Sequence, residues 1–188
     1  MTDGRLHAAW HSPLAWVRTR RMAAARGVAV RPLVMRDTDH DLTSVVIVRT
    51  DSPYTVPSDL KDRTVAVGAV DSPQATLLPL SHLRGLGLLP GEHFRVNRHD
   101  TGVGLHGDHI GGERAAARTL AAGEVAAACL TDANHLLFSQ EGFLSPGGTR
   151  ILTRTDPYDH CVMPSGEALA PDLASRFVDD ADFYDAQG

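Results

Sequence analysis

The chain has 188 residues, a formal net charge of −5, 43% hydrophobic residues and 22% charged residues. This composition excludes a disordered or fibrous protein, and the length allows one sizeable core or two small lobes. It is too short for a typical barrel of eight βα units, which needs roughly 250 residues. No apolar run approaches the ~20 residues of a membrane span, and the acidic balance argues against a polyanion partner. We therefore expect no membrane insertion and no nucleic-acid binding.

The sequence shows neither a secretory leader nor a disulfide framework, the two features that would indicate an exported protein. The stretch Met1 to Arg5 and the residues after it lack the basic start and apolar core of a secretory signal, which predicts a cytoplasmic chain as given. Cys129 and Cys161 can form at most one bridge and are predicted to be thiols. No Cys–His nucleophile is predicted at His160 and Cys161, because neighbouring side chains of a strand point in opposite directions.

Short β-branched runs alternate with helical patterns along the chain, which is typical of an α/β fold. In chain order the pattern predicts a strand at 6–10, a helix at 13–25, strands at 28–35 and 42–50, a helical turn at 57–62, a strand at 64–67, a helix at 74–84, a strand at 93–97, a helix at 113–122, a strand at 125–130, a helix at 134–140, a strand at 150–155 and a helix at 170–183. Pro79 is expected to kink or split its helix, because proline has no N–H to donate.

The segment 68–76 is predicted to bind an anion. A glycine turn follows a strand, and Ser72 and Pro73 then start a helix, whose free N–H groups and positive dipole end favour a negative ligand. The hydroxyls of Ser72 and Thr76 add two potential donors. The competing interpretation is that Ser72 only caps its helix.

The segment 99–113 has the densest polar cluster, with three histidines and three carboxylates among glycines. Imidazoles can donate to an oxyanion, transfer protons or ligate a divalent metal. The candidate catalytic or metal-ligating set is His106, His109, Glu113 and the distant His160, with a divalent metal as the possible cofactor. Since the spacing matches no metal signature, we favour an anion site over a metal site here.

Four stretches of the chain resemble one protein family. The stretch 8–17, AAWHSPLAWV, resembles the family's segment D-hydrophobic-W-x-S-P-L-A-Y-V, and 59–68, DLKDRTVAVG, resembles D-L-K-G-K-x-V-A-x-G. The similarity continues through 71–76, DSPQAT, and through 122–128, AGEVAAA, which is similar to G-E-V-D-A. Over about 6–164 the chain thus resembles the phosphonate-binding proteins, the bacterial substrate-binding subunits of phosphate, phosphite and phosphonate ABC transporters.

The resemblance implies an α/β fold of the type 2 periplasmic-binding-protein class, with two α/β lobes and a ligand cleft between them. It divides the chain into a partial first lobe at 1–55, a second α/β lobe at 56–150 and a return segment with the C-terminal helix at 151–188. The first lobe starts at what resembles the family's second strand, so it is expected to be truncated. Two interpretations are open: the sequence is a fragment of a longer chain, or a homodimer or a partner chain completes the sheet.

The resemblance also implies that a small anion of the phosphonate, phosphate or carboxylate type binds in the cleft. It suggests ligand contacts at Ser12, Ser72, Gln74, Ala75, Thr76, His106, His109 and Asp159, to which the polar turn at 36–41 adds Asp37. The alternative is an intracellular enzyme on the same fold that uses the histidine-rich site, with or without a bound metal, on a small anionic substrate.

Overall fold

A computed structural model describes residues 6–101, 110–179 and 183–185. The chain forms two compact units, the first made of Met1–Leu42 and Tyr158–Gly188 and the second of Thr43–Pro157. The division therefore falls about a dozen residues before the expected lobe boundary at residue 55, since the strand Ser44–Arg49 pairs with strands of the second unit.

The elements follow one another in an order close to that predicted. The α-helices are α1 (Pro13–Ala25), α2 (Leu78–Gly85), α3 (Ile110–Ala121), α4 (Asp132–Gln140) and α5 (Pro171–Val178). The strands are β1 (Val30–Arg36), β2 (Ser44–Arg49), β3 (Thr64–Val67), β4 (Arg95–Arg98), β5 (Ala127–Thr131), β6 (Thr149–Arg154), β7 (Met163–Gly166) and β8 (Phe183–Asp185). Short 3-10 turns lie at Asp37–Asp39 and Pro57–Leu60, and a π-helical turn lies at Pro73–Leu77. No helix within the described ranges has the length and apolar character needed to cross a membrane.

The first unit is built on a three-stranded antiparallel sheet in the order β7-β1-β8. Its core is small and apolar, with Leu33 and Val34 fully buried. The predicted strand at 6–10 is wrong, because this segment makes a single isolated bridge, from Ala8 to Ser165. The predicted helix at 170–183 is too long, since α5 ends at Val178 and β8 follows.

The second unit contains a five-stranded mixed sheet in the order β4-β3-β5-β2-β6. Strand β3 runs parallel to β4 and β5, whereas β2 runs antiparallel to β5 and β6. Alternate residues of β2 face opposite sides of the sheet. Val45 packs on one side in a cluster with Leu120 of α3, and Val46 packs on the other in a cluster with Leu83 of α2. Helices thus cover both faces, and the predicted α/β class is confirmed.

Pro79 divides its helical segment as predicted. The π-helical turn Pro73–Leu77 ends directly before α2, and Pro79 is the second residue of α2. A proline here cannot donate to the carbonyl four residues earlier, so the regular α-helical ladder does not extend across the junction.

Candidate functional site

The turn between β3 and the π-helical segment is held by backbone hydrogen bonds. The Ser72 Oγ accepts a hydrogen bond from the Ala75 N–H at 3.2 Å, so Ser72 is the N-cap that its position predicted. The Gly68 N–H donates to the Ala75 carbonyl at 3.1 Å. In an α-helix that carbonyl would accept from residue 79, which is Pro79 and has no N–H. The proline therefore leaves the carbonyl available to the turn.

Two glycines allow the backbone segments of this site to approach closely. A Cβ atom on Gly68 would lie 2.8 Å from the Ala75 Cβ. A Cβ on Gly112, near the start of α3, would lie 2.7 Å from the His99 carbonyl oxygen and 3.0 Å from the Ala69 nitrogen. Because these contacts are too short for a side chain, only glycine permits α3 to pack against the turn.

One hydroxyl at this turn has no hydrogen-bond partner among the described residues. Thr76 is 3% exposed, and its Oγ1 is buried without a bond. The same atom lies 3.7 Å from the position that a Cβ on Gly68 would occupy, so it faces the turn. A buried hydroxyl without a partner is costly, and a ligand oxygen at the turn would satisfy it. This is the observation that best supports the predicted anion site.

The other predicted contacts of the second unit lie beside Thr76. Gln74 and Ala75 are buried, and the Gln74 carbonyl accepts a hydrogen bond from the Ser44 hydroxyl. The structure therefore brings Ser72, Gln74, Ala75 and Thr76 together at the start of one helical segment. Whether they bind a ligand stays a prediction.

Three predicted contacts belong to the first unit. The Ser12 Oγ caps α1 by accepting from the Ala15 N–H at 3.4 Å. Asp37 is exposed and accepts from its neighbour's N–H. The Asp159 Oδ1 lies 2.9 Å from the His40 Nδ1. These local bonds orient all three side chains, and their role toward a ligand stays a prediction.

Glu113 is fully buried, and protein groups of the second unit donate to both of its carboxylate oxygens. The Oε2 accepts from the Thr131 N–H at 2.8 Å and from the Asn134 Nδ2 at 2.9 Å, and the Oε1 accepts from the Thr131 hydroxyl at 3.2 Å. Glu113 thus ties α3 to the end of β5 and the start of α4. The proposed metal or catalytic set also needs His106 and His109, which lie outside the described residues.

A polar cluster in the first unit corrects the prediction for His160 and Cys161. The Cys161 Sγ lies 3.1 Å from the His160 Nδ1, so the two side chains point toward each other. The assumption that these side chains point apart was wrong, because the two residues precede β7 and do not follow the alternation of a strand. The His160 Nδ1 also lies 3.4 Å from the Asp39 Oδ1, and the Arg36 Nε lies 2.5 Å from the Asp39 Oδ2.

The cluster also changes the acidity of His160. Burial alone would lower the pKa of His160, but its contacts with Asp39 and Cys161 outweigh burial and raise that pKa to about 9. Burial likewise opposes ionisation of Asp39, but His160 and Arg36 hold the pKa of this carboxyl below its ordinary value. Sequence reasoning missed the cluster because Asp39 and His160 are far apart along the chain.

The sequence profile of one family matches almost the whole chain. It is the family described as "ABC transporter, phosphonate, periplasmic substrate-binding protein", and the match spans residues 1–179. The chain belongs to this family. The resemblance inferred from the four sequence stretches is thereby confirmed. No curated protein sequence matches the chain.

Solved structures confirm the fold of this phosphonate-binding-family chain. XAC2383 from Xanthomonas citri, bound to a chloride ion, has a TM-score of 0.65 and 19% identity, over 96% of this chain and 66% of that one. PhnD1 from Prochlorococcus marinus, in complex with methylphosphonate, has a TM-score of 0.61 and 19% identity, over 95% and 61%. The aliphatic sulphonate binding protein SsuA from Escherichia coli has a TM-score of 0.58 and 18% identity, over 94% and 53%. The chain therefore has the periplasmic-binding-protein fold and spans about half to two thirds of the length of these proteins.

Proposed function

We propose that this chain binds a small anion of the phosphonate, phosphate or carboxylate class, as a substrate-binding component of an ABC transporter. The observation that carries the proposal is the buried Thr76 hydroxyl, which has no partner among the described residues and faces the glycine turn at the start of a helical segment. Membership in the phosphonate-binding family and the methylphosphonate complex of PhnD1 support the same ligand class. They do not favour the alternative of an intracellular enzyme.

The chemistry of the turn suits an oxyanion. The N–H groups at the start of a helix have no partner within the helix, and the helix dipole places partial positive charge at that end. The buried Thr76 hydroxyl faces the same turn and can donate a hydrogen bond to a ligand oxygen. Such a site selects charge and tetrahedral or planar shape, so the ligand's organic group must be recognised elsewhere.

Replacing Thr76 by valine should weaken anion binding without weakening the fold. The variant keeps the side-chain shape and removes one donor, and the lost hydrogen bond corresponds to about a tenfold rise in Kd. Isothermal titration with methylphosphonate, phosphate, a sulfonate and acetate measures the affinity and identifies the class. The free energy of unfolding of the ligand-free variant should be unchanged or higher, because an unsatisfied hydroxyl has been removed.

Thr119→Val is the matched control, because the Thr119 hydroxyl already has protein partners, the Ala115 carbonyl within α3 and the His99 Nε2. It should bind the anions as the unchanged protein does. Equal affinities for the unchanged protein and Thr76→Val would contradict the proposed site. Absence of binding to all four anions would contradict the proposed function.

The proposal includes a protein partner for the first unit, either a second copy or another chain. Large apolar side chains are exposed at Leu6, Trp10, Val17 and Met22, all of them on α1 or just before it. A protein partner that covered these side chains would remove their apolar surface from water. Native mass spectrometry is expected to show a dimer, or a heterologous complex when the chain is isolated from its source, and a monomer under both conditions would contradict this part.

A further inference from the structure

We propose that Asp39, His160 and Cys161 form a binding site for a transition-metal dication, with Zn²⁺ as the preferred ion. The donors would be the Asp39 Oδ1, the His160 Nδ1 and the Cys161 thiolate. All of these side chains belong to the first unit, so the site shares no residue with the anion site proposed in the second unit. It also differs from the set of His106, His109, Glu113 and His160 that the sequence suggested.

Two of the three distances between the donor atoms are close to those around a tetrahedral zinc ion, and all three atoms lie within 4.8 Å of one another. Bonds of about 2.3 Å to sulfur and about 2.0 Å to nitrogen place these two atoms about 3.5 Å apart, and a nitrogen and an oxygen about 3.3 Å apart. The observed separations are 3.1 Å between the Cys161 Sγ and the His160 Nδ1 and 3.4 Å between the His160 Nδ1 and the Asp39 Oδ1. Shifts of a few tenths of an ångström would therefore bring these two pairs of atoms to the separations expected around the ion.

The cluster is held in place by its surroundings. The side chains of Asp39 and His160 are 5% and 10% exposed. The backbone N–H of His160 donates to the backbone carbonyl of Asp39 at 2.9 Å. Arg36 binds the Asp39 Oδ2 and leaves the Oδ1 directed at His160. An outer partner of this kind orients a ligating carboxylate. These groups are thus preorganised for a ligand at Oδ1.

The chemistry of the donors selects the kind of metal. A thiolate with an imidazole favours zinc and other borderline or soft ions, whereas Mg²⁺ and Ca²⁺ prefer oxygen ligands alone. Binding would release the protons of the His160 Nδ1 and the Cys161 thiol, and the charges of the dication, thiolate and carboxylate then cancel. Three protein ligands leave a fourth position for water or a small external ligand.

Cobalt substitution tests the site in the full chain. Co²⁺ bound to a thiolate gives an intense sulfur-to-metal charge-transfer band, which the unchanged protein is expected to show at one equivalent and to lose on addition of Zn²⁺. Cys161→Ser should abolish the band, and Asp39→Asn should keep it while weakening Co²⁺ affinity about tenfold or more.

Cys129→Ser is the matched control, since Cys129 is the other free thiol and lies fully buried in the second unit. Burial raises the pKa of Cys129 to about 12, so it is not expected to provide a thiolate. The control should retain the band. A double His106→Ala, His109→Ala variant should retain it as well.

Three results would overturn the proposal: no charge-transfer band in the unchanged protein, a band that persists in Cys161→Ser, or a band lost in the double histidine variant. Because unfolding of Cys161→Ser would also abolish the band, a second measurement uses the unchanged protein. Zn²⁺ should protect Cys161 from alkylation by at least tenfold in rate, as judged by peptide mass spectrometry, and an unprotected Cys161 would also overturn the proposal.

Discussion

Replacing Gly112 by alanine is expected to lower the free energy of unfolding by about 3 kcal/mol, at the upper end of what overpacking usually costs. The added Cβ would lie 2.7 Å from the His99 carbonyl oxygen and 3.0 Å from the Ala69 nitrogen. Both neighbours are backbone atoms, which cannot move aside as a flexible side chain can. The start of α3 must therefore separate from the turn, and urea denaturation followed by circular dichroism measures the loss.

Gly85→Ala is the control for this prediction. Gly85 is the last residue of α2, and a Cβ there would meet no atom within 4 Å. Alanine at this position should leave the free energy of unfolding unchanged or raise it by up to about 1 kcal/mol, because it restricts the unfolded chain. Similar values for the two variants would show that the close packing at Gly112 is not a constraint on the fold.

Replacing Glu113 by alanine should also lower the free energy of unfolding by about 3 kcal/mol. The Thr131 N–H, the Thr131 hydroxyl and the Asn134 amide donate to this carboxylate, and the first of these is a buried backbone group. Removing the acceptor leaves these donors without a partner inside the second unit. The same denaturation experiment measures the effect.

Glu92→Ala is the comparison variant, because the Glu92 side chain is 68% exposed and its loss should change the free energy of unfolding by less than about 0.5 kcal/mol. Comparing Glu113→Ala with Glu92→Ala also distinguishes a structural role of Glu113 from the metal-ligating role that its sequence position suggested. A Glu113→Ala variant as stable as Glu92→Ala, but with reduced metal binding, would favour the metal-ligating role.

The features that could be predicted from the sequence depend on residues close together in the chain. Ser12 and Ser72, each followed by proline, cap the helical segments that they were expected to cap. Pro79 interrupts its helix because it lacks the N–H that would donate to the carbonyl four residues earlier. This effect is local, so the sequence alone predicts it. Strand β3 lies at the predicted residues 64–67, where β-branched residues follow a helical turn.

The features that could not be predicted depend on residues far apart in the chain. Strand β7 has no strong pattern of its own, and it pairs with β1 across more than a hundred residues. The contact between His160 and Cys161 was excluded on the assumption of strand geometry, which the local backbone does not adopt. Asp39 joins them only because the chain returns to the first unit after completing the second.

The hydrogen bond from Gly68 to Ala75 has a consequence for the thermodynamics of binding. Since Pro79 removes the N–H that would compete for the Ala75 carbonyl, this carbonyl accepts from the Gly68 N–H, and the hydrogen bond constrains the turn. A loop that ordered only on contact with an anion would lose conformational entropy at that moment, and its affinity would fall accordingly. In this protein the entropy is lost during folding instead. Pro79, which lies eleven residues after Gly68, leaves the Ala75 carbonyl available to the Gly68 N–H.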